Sequence, residues 1–312
     1  SSDVCSSDLD SGDVTVTADA AGDINVSSYG INGDAKCSNS INTDSGDVTV
    51  TATATGTSDV YSYGILSNNF GSNSITTKSG DVTVIGNATA TSDTKSQGTG
   101  MGILEVGSNT ITTDSGSVTI TGKGSVIGEG MYCSEIESTN TITTGSGAVT
   151  VSGIGIKGGS GTGILAGVGG SNSITTDSGN VTVSGTGAAF GRGMFATDGH
   201  STVTTTSGEV KVSGSGADSG CGMYVGTDGV NTIESTAGSP LTVTITASAD
   251  TAEKAIAMWA GGKYGGGVNR ITGHSQANGT DSVTLTANNG QGIAMQTANG
   301  EIGRASCRER VS

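Results

Sequence analysis

The sequence predicts an all-β chain wound as a right-handed parallel β-helix (a β-solenoid) of about eight to nine coils, one coil for each 29–38-residue repeat. Three observations predict it. First, the stretch 39–52 recurs at 73–86, 109–122, 140–153 and 172–185, more loosely at 201–214, with degraded copies from Asn231 and Asn269. Second, the Ile or Val of its first short strand falls at 41, 75, 111, 142, 174, 203, 233 and 271, and in six units the next strand begins with Val seven residues later. The corner between the two strands is therefore fixed while the other connections vary. Third, apolar and hydroxyl residues alternate with period 2, as in Val48-Thr49-Val50-Thr51-Ala52. Helical repeats of similar length are excluded by this alternation and by the 55 glycines.

Each element of the repeat has a physical reason. In Asn39-x-Ile41-x-Thr43 the alternation puts Asn, Ile and Thr on the inner face. Asn precedes the aliphatic residue by two at Asn39, Asn73, Asn109, Asn140, Asn172, Asn231 and Asn269, with Ser201 the exception. An inward Asn can hydrogen-bond its counterparts one coil above and below, which predicts a structural ladder without a ligand. The corner needs Gly for positive φ at Gly46, Gly80, Gly116, Gly147, Gly179 and Gly208. In the second strand the Val residues and Ala point inward and the threonines outward. A third motif, Gly-x-Gly-(Ile/Met), closes the unit around Ile31, Ile65, Ile103, Met131, Ile164, Met194 and Met223. It continues as residues 255–258 and 292–295, which read as strand although Asp250 to Glu253 could open a short helix. The glycines let the backbone pass a tight corner. Four aliphatic groups per repeat cannot offset the ordering of some thirty residues, so stacking is obligatory. Two smaller coils of about sixteen residues per repeat remain the alternative geometry.

Composition bounds the function. Only 32% of residues are hydrophobic and 3% aromatic, enough for a narrow core. The net charge of −15 gives no electrostatic reason to bind nucleic acid or an anionic membrane surface. No run approaches the ~18 apolar residues of a membrane span. Residues 1–9 and 301–312 are foreign to the repeat and resemble translated sequencing-adapter read-through. Three of the thirteen basic residues, Arg304, Arg308 and Arg310, fall in the latter. The repeat domain is then 10–300, least regular over 237–300, with the same chain expected to continue at both ends. Setting aside Cys5 and Cys307, the cysteines Cys37, Cys133 and Cys221 are scattered. That pattern fits neither a disulfide framework nor a zinc site.

Candidate chemistry is sparse, and no catalytic, cofactor or metal residue is assigned. Residues 153–158 match GxGxxG without a strand–helix context. Asp198, His200 and Ser201 bring three triad residue types together where other copies keep a turn. His274 is the second histidine. Glu135 and Glu137 are expected to alternate on one strand face, where Arg192 or Arg270 could neutralise a uronate. Asp10/Asp13 and Asp44/Asp47 bracket corners and read as turn caps rather than calcium ligands, and residues 158–163 lack the ligating Asp of a calcium-binding glycine repeat. The outward threonines Thr15/Thr17, Thr49/Thr51, Thr119/Thr121 and Thr284/Thr286 form a rank, with Thr150/Ser152 and Thr182/Ser184. It is interrupted by Ile85 and by Lys211/Ser213. That rank is similar to those of ice-binding β-solenoids.

The Asn-x-Ile-x-Thr, Ser-Gly-x-Val-Thr-Val and Gly-x-Gly-Ile/Met series over residues 10–300 resemble the parallel β-helix passenger domains of bacterial autotransporters and related surface adhesins. The resemblance implies a secreted or cell-surface protein, non-enzymatic, with no cofactor. Its partners would be host-cell surfaces, glycans or neighbouring cells, met by variable loops such as 53–63 and 88–99. The other readings are a polysaccharide lyase or glycoside hydrolase on the same scaffold, and ice binding through the threonine rank.

Overall fold

In a computed structural model the chain is a parallel β-solenoid. The structure describes residues 4–297 apart from 93–94, 237, 250–253, 262–266, 274–280 and 289–290, and for 4–9 and 291–297 it describes the backbone alone. Three parallel sheets of nine strands each run the length of the molecule. One coil consists of Gly107–Thr113, Val118–Gly124 and Ile127–Cys133, contributing one strand to the first, second and third sheet respectively. Asn39 pairs with Asn73 and Asn73 with Asn109, so each repeat is one coil and the half-size alternative is excluded. Seven of the nine rungs have a neighbour on both sides, which makes about seven stacked turns, slightly fewer than expected. Strand Val4–Leu9 pairs in parallel with Ser38–Thr43, and residues 301–312 lie outside the described residues.

The core follows the alternation. Ile111, Val118, Ile120 and Met131 are fully buried, and their counterparts Ile142, Val149, Val151 and Ile164 lie one rung on in register. These columns form one continuous cluster along the axis. In the third sheet the register places Met101, not Ile103, in line with Ile65 and Met131. The segments 53–63 and 88–99, expected as recognition loops, are mostly strand. Val48–Gly56 and Val82–Ala90 continue the alternation, and Ala54, Ala88, Ala90, Val26 and Val60 make a small satellite core. In the next four coils Gly124, Gly155, Gly187 and Gly216 take the place of Ala88 before Ala249 restores it, and the second and third sheets touch backbone to backbone: a Cβ on Gly124 would strike the carbonyl of Ile127.

The corner glycines are required for a reason other than the expected one. None of Gly46, Gly80, Gly116, Gly147, Gly179 and Gly208 has positive φ. Instead each is stacked on its predecessor: a Cβ on Gly80 would collide with the carbonyl oxygen of Gly46, and one on Gly116 with that of Gly80. Close approach between coils, not a left-handed backbone, excludes a side chain. The threonine ending the first strand caps the same corner, as where Gly80 N donates to Thr77 Oγ1 at 2.7 Å.

The inward asparagines form hydrogen-bonded runs. Asn39 Nδ2 donates to Asn73 Oδ1 (2.8 Å), Asn73 to Asn109 (2.8 Å), Asn109 to Asn140 (2.9 Å) and Asn140 to Asn172 (3.0 Å). The second proton of Asn109 reaches Gly102 O at 2.9 Å, tying the third sheet to the first. The run breaks at Ser201 and resumes with Asn231 to Asn269 at 3.0 Å. At the break, Ser201 Oγ and Asn231 Oδ1 are buried without a partner. An amide at 201 would accept from Asn172 and donate to Asn231. Ser201→Asn is expected to stabilise the fold by about 1–2 kcal/mol. A urea midpoint that stays put or falls would show that this coil cannot hold the amide.

Candidate functional site: a groove on the outer face of the third sheet

The third sheet bends at the second glycine of its motif. A Cβ on Gly130 would point into the core at Val151 Cγ1, and the next residue, Met131, also points inward. Two successive inward residues break the alternation, and the outward residues on either side of the bend turn toward one another. Two columns result. Before the bend, in register, stand Tyr63, Thr99, Glu129, Thr162, Arg192, Cys221 and Ile256. After it stand Tyr132, Leu165, Phe195, Tyr224 and Trp259.

Two parts of this groove differ in chemistry. Around Arg192 it is aromatic and open. Tyr224 meets Phe195 edge-on (centroids 4.9 Å apart) and Trp259 (4.1 Å). The guanidinium carbon of Arg192 lies 4.8 Å from the centre of the Phe195 ring and 5.0 Å from that of Tyr224, within cation–π range. A cavity of about 460 Å³ opens here, lined in part by Phe190, Arg192, Asp218, Tyr224, Lys254 and Trp259. Burial holds the Arg192 pKa below the usual arginine range.

Two coils away, around Glu129, the groove is closed. Glu129 is 5% exposed, and its Oε2 accepts from Gln97 Nε2 at 2.8 Å and Thr99 Oγ1 at 3.4 Å. Desolvation raises its pKa to about 7 against these two hydrogen bonds, which act the other way. Burial also pushes the hydroxyl of Tyr63 well above the ordinary tyrosine range, with the Glu129 charge adding to it.

The residues singled out in the sequence are not brought together. Glu135 and Glu137 lie exposed in a turn, Glu137 with φ of 64°, instead of alternating on a strand. Arg192 is in the groove, whereas Arg270 is exposed on the first sheet. His200 is exposed at the start of His200–Thr205, and His274 lies outside the described residues. Gly153 and Gly155 belong to strand Val149–Gly155, and Lys157 Nζ donates to the carbonyls of Ala90 and Thr91. Asp13, Asp47 and Asp81 each accept a backbone N–H from the next coil at 2.7–3.0 Å. Asp44 pairs with Lys78 at 2.7 Å. Among the described residues no three His, Cys, Asp or Glu side chains gather as a metal site. Cys133 and Cys221 are buried free thiols, pushed up to about 11 and 12 by burial.

The threonine rank is in register from Thr15 through Thr49, Thr83, Thr119, Thr150 and Thr182, until Lys211 interrupts it. Its hydroxyls in part bond one another, as Ser152 and Ser184 do at 3.0 Å. The aromatic column is what sequence reasoning missed. Its signal is the residue after each Met or Ile of the third motif: Tyr132, Leu165, Phe195, Tyr224 and Trp259.

Comparison with protein-family models, curated proteins and solved structures finds no match to this chain. Among the described residues no helix is long and apolar enough to cross a membrane.

Proposed function

We propose that this chain is the repeat region of a secreted or surface-displayed bacterial adhesin of the autotransporter-passenger type, a non-enzymatic rod that binds saccharides of host or neighbouring cells. The observation that carries the reading is the register of Phe195, Tyr224 and Trp259, half-buried on successive coils, with Tyr224 and Trp259 lining one cavity. Adjacent strands lie ~4.8 Å apart, so the three rings follow one another along the axis, packed edge to face. Apolar ring faces with a few polar groups between them suit the C–H faces and hydroxyls of a sugar chain. Long polar strand faces suit a structural stalk, and the acidic charge suits solubility.

The second reading, a polysaccharide-active enzyme, is favoured by one observation: Glu129 lies in the same groove with a carboxyl near neutrality. A glycan array separates the two. The intact chain is expected to bind at least one saccharide, and a Phe195→Ala/Tyr224→Ala/Trp259→Ala variant to lose that binding while melting as the parent does. Binding to no saccharide overturns the adhesive reading. Release of reducing ends from a bound polymer, abolished by Glu129→Gln, replaces it with the enzymatic one.

A further inference from the structure

Resting on the saccharide-binding reading, we infer that the cavity beside Arg192 selects acidic saccharides, with the guanidinium receiving the sugar's anionic group while Tyr224 and Trp259, which line the same cavity, carry its rings. The inference starts from an Arg without an anion. The ion pairs among the described residues are Lys78–Asp44 and Lys211–Glu209, and Arg192 belongs to neither. Its close contacts are instead the faces of Phe190, Phe195 and Tyr224, at 5.8, 4.8 and 5.0 Å. Rings hold a guanidinium by its face and leave its in-plane N–H donors free. Those donors border a cavity, and an in-plane fork of donors is what a carboxylate or sulfate ester accepts bidentately.

The neighbours set the electrostatics. Lys254 lines the same cavity and adds a second cation, whereas Asp218 on its rim opposes an anion. The local balance is one positive charge beyond neutral in a chain whose net charge is −15. Charges farther than the ~8 Å Debye length are largely screened at physiological salt, so the local cations decide the contact. The cavity floor is apolar: Ile256 and Cys221 follow Arg192 in its own column. A partly desolvated guanidinium over such a floor gains more from an anion than an exposed one does. The volume of about 460 Å³ falls within the usual range for small-ligand pockets and suits one or two sugar residues.

Calorimetry with short oligomers tests this on the intact chain. The probes are oligogalacturonate, its carboxyl-reduced neutral counterpart, and a sulfated oligosaccharide of similar length. Oligogalacturonate or the sulfated probe is expected to bind roughly tenfold or more tightly than the neutral one, and which of the two is preferred identifies the acidic group. Arg192→Gln is expected to erase the preference. Asp218→Asn is expected to sharpen it, a gain that no merely structural role for the pocket predicts. Equal binding of acidic and neutral oligomers overturns the acidic specificity and leaves the saccharide reading standing. Failure of all three probes to bind overturns the specificity too, and binding of other glycans on the array then decides the broader reading separately. If Arg192→Gln unfolds the chain, Asp218→Asn and Lys254→Ala carry the test, with opposite expected changes in acidic affinity. Unchanged affinity in both overturns the inference.

Discussion

Asn109→Ala is expected to lower stability by about 3–5 kcal/mol. The amide is fully buried and every hydrogen-bonding atom is used. Oδ1 accepts from Asn73 Nδ2 (2.8 Å) and Ser67 Oγ (2.6 Å), and Nδ2 donates to Gly102 O and Asn140 Oδ1, both at 2.9 Å. Truncation strands the buried oxygen of Asn140 as well as opening space beside Ile111. Each buried group left without a partner costs ~1–3 kcal/mol, so two or three such losses reach the stated range. Asn39→Ala, at the half-exposed end of the ladder, is the internal control: it strands one buried acceptor, Asn73 Oδ1, and should lose about 1–2 kcal/mol. Urea titrations of both variants give the answer. Equal losses would mean that the ladder contributes register but little free energy. Hydrogen exchange should show the damage confined to neighbouring coils, because each coil contacts only the next.

Stability is expected to fall by about 3 kcal/mol as pH rises from 4.5 to 7 and then to level off, on account of Glu129 alone. Its folded pKa, about 7, lies above the 4.5 of an unperturbed carboxyl. Between those values the unfolded chain has released a proton that the folded chain still holds, so raising the pH favours unfolding. Below 4.5 both states are protonated, and above 7 both are ionised; the loss is then complete. The cause is burial, which Gln97 and Thr99 offset only in part. Glu129→Gln keeps the shape and removes the titration. Its denaturation midpoints at pH 5 and pH 8 should differ less than those of the parent by the equivalent of the stated amount. Parallel curves for the two proteins would show that the carboxyl is solvated in solution and that the groove is open there.

The period, the inner faces and the asparagine runs were readable because each depends on neighbours one coil away, and every coil repeats the same environment. Val48 and Val50 announce their burial by alternating with Thr49 and Thr51, and both are fully buried. The corner glycines were visible as glycines, but their cause was not, since the collision with the preceding carbonyl is a contact between coils that φ preferences do not express. The third motif reads as Ile103 where the register has Met101 because glycines flank Met101 on both sides, which lets the motif be phased two ways. The groove was hidden for a different reason. Its two columns face each other only because the third sheet bends, and alternation assigns residues 192 and 195 to opposite faces. A contact 4.8 Å across the bend is therefore invisible to a period-2 reading.

The stacking of whole coils in parallel register has a mechanical consequence. The hydrogen bonds of all three sheets point along the long axis, while the chain itself runs around it. Tension applied through the two chain ends therefore acts on each terminal coil a few bonds at a time, while every inner interface spreads the same load over all three sheets. Peeling one coil of some thirty residues releases roughly 100 Å of extended chain at ~3.4 Å per residue, against an axial rise of ~4.8 Å while it is folded. Such a rod is stiff under small loads and lengthens about twentyfold per coil once a coil yields. It behaves as a series of extensible links, each one a repeat long.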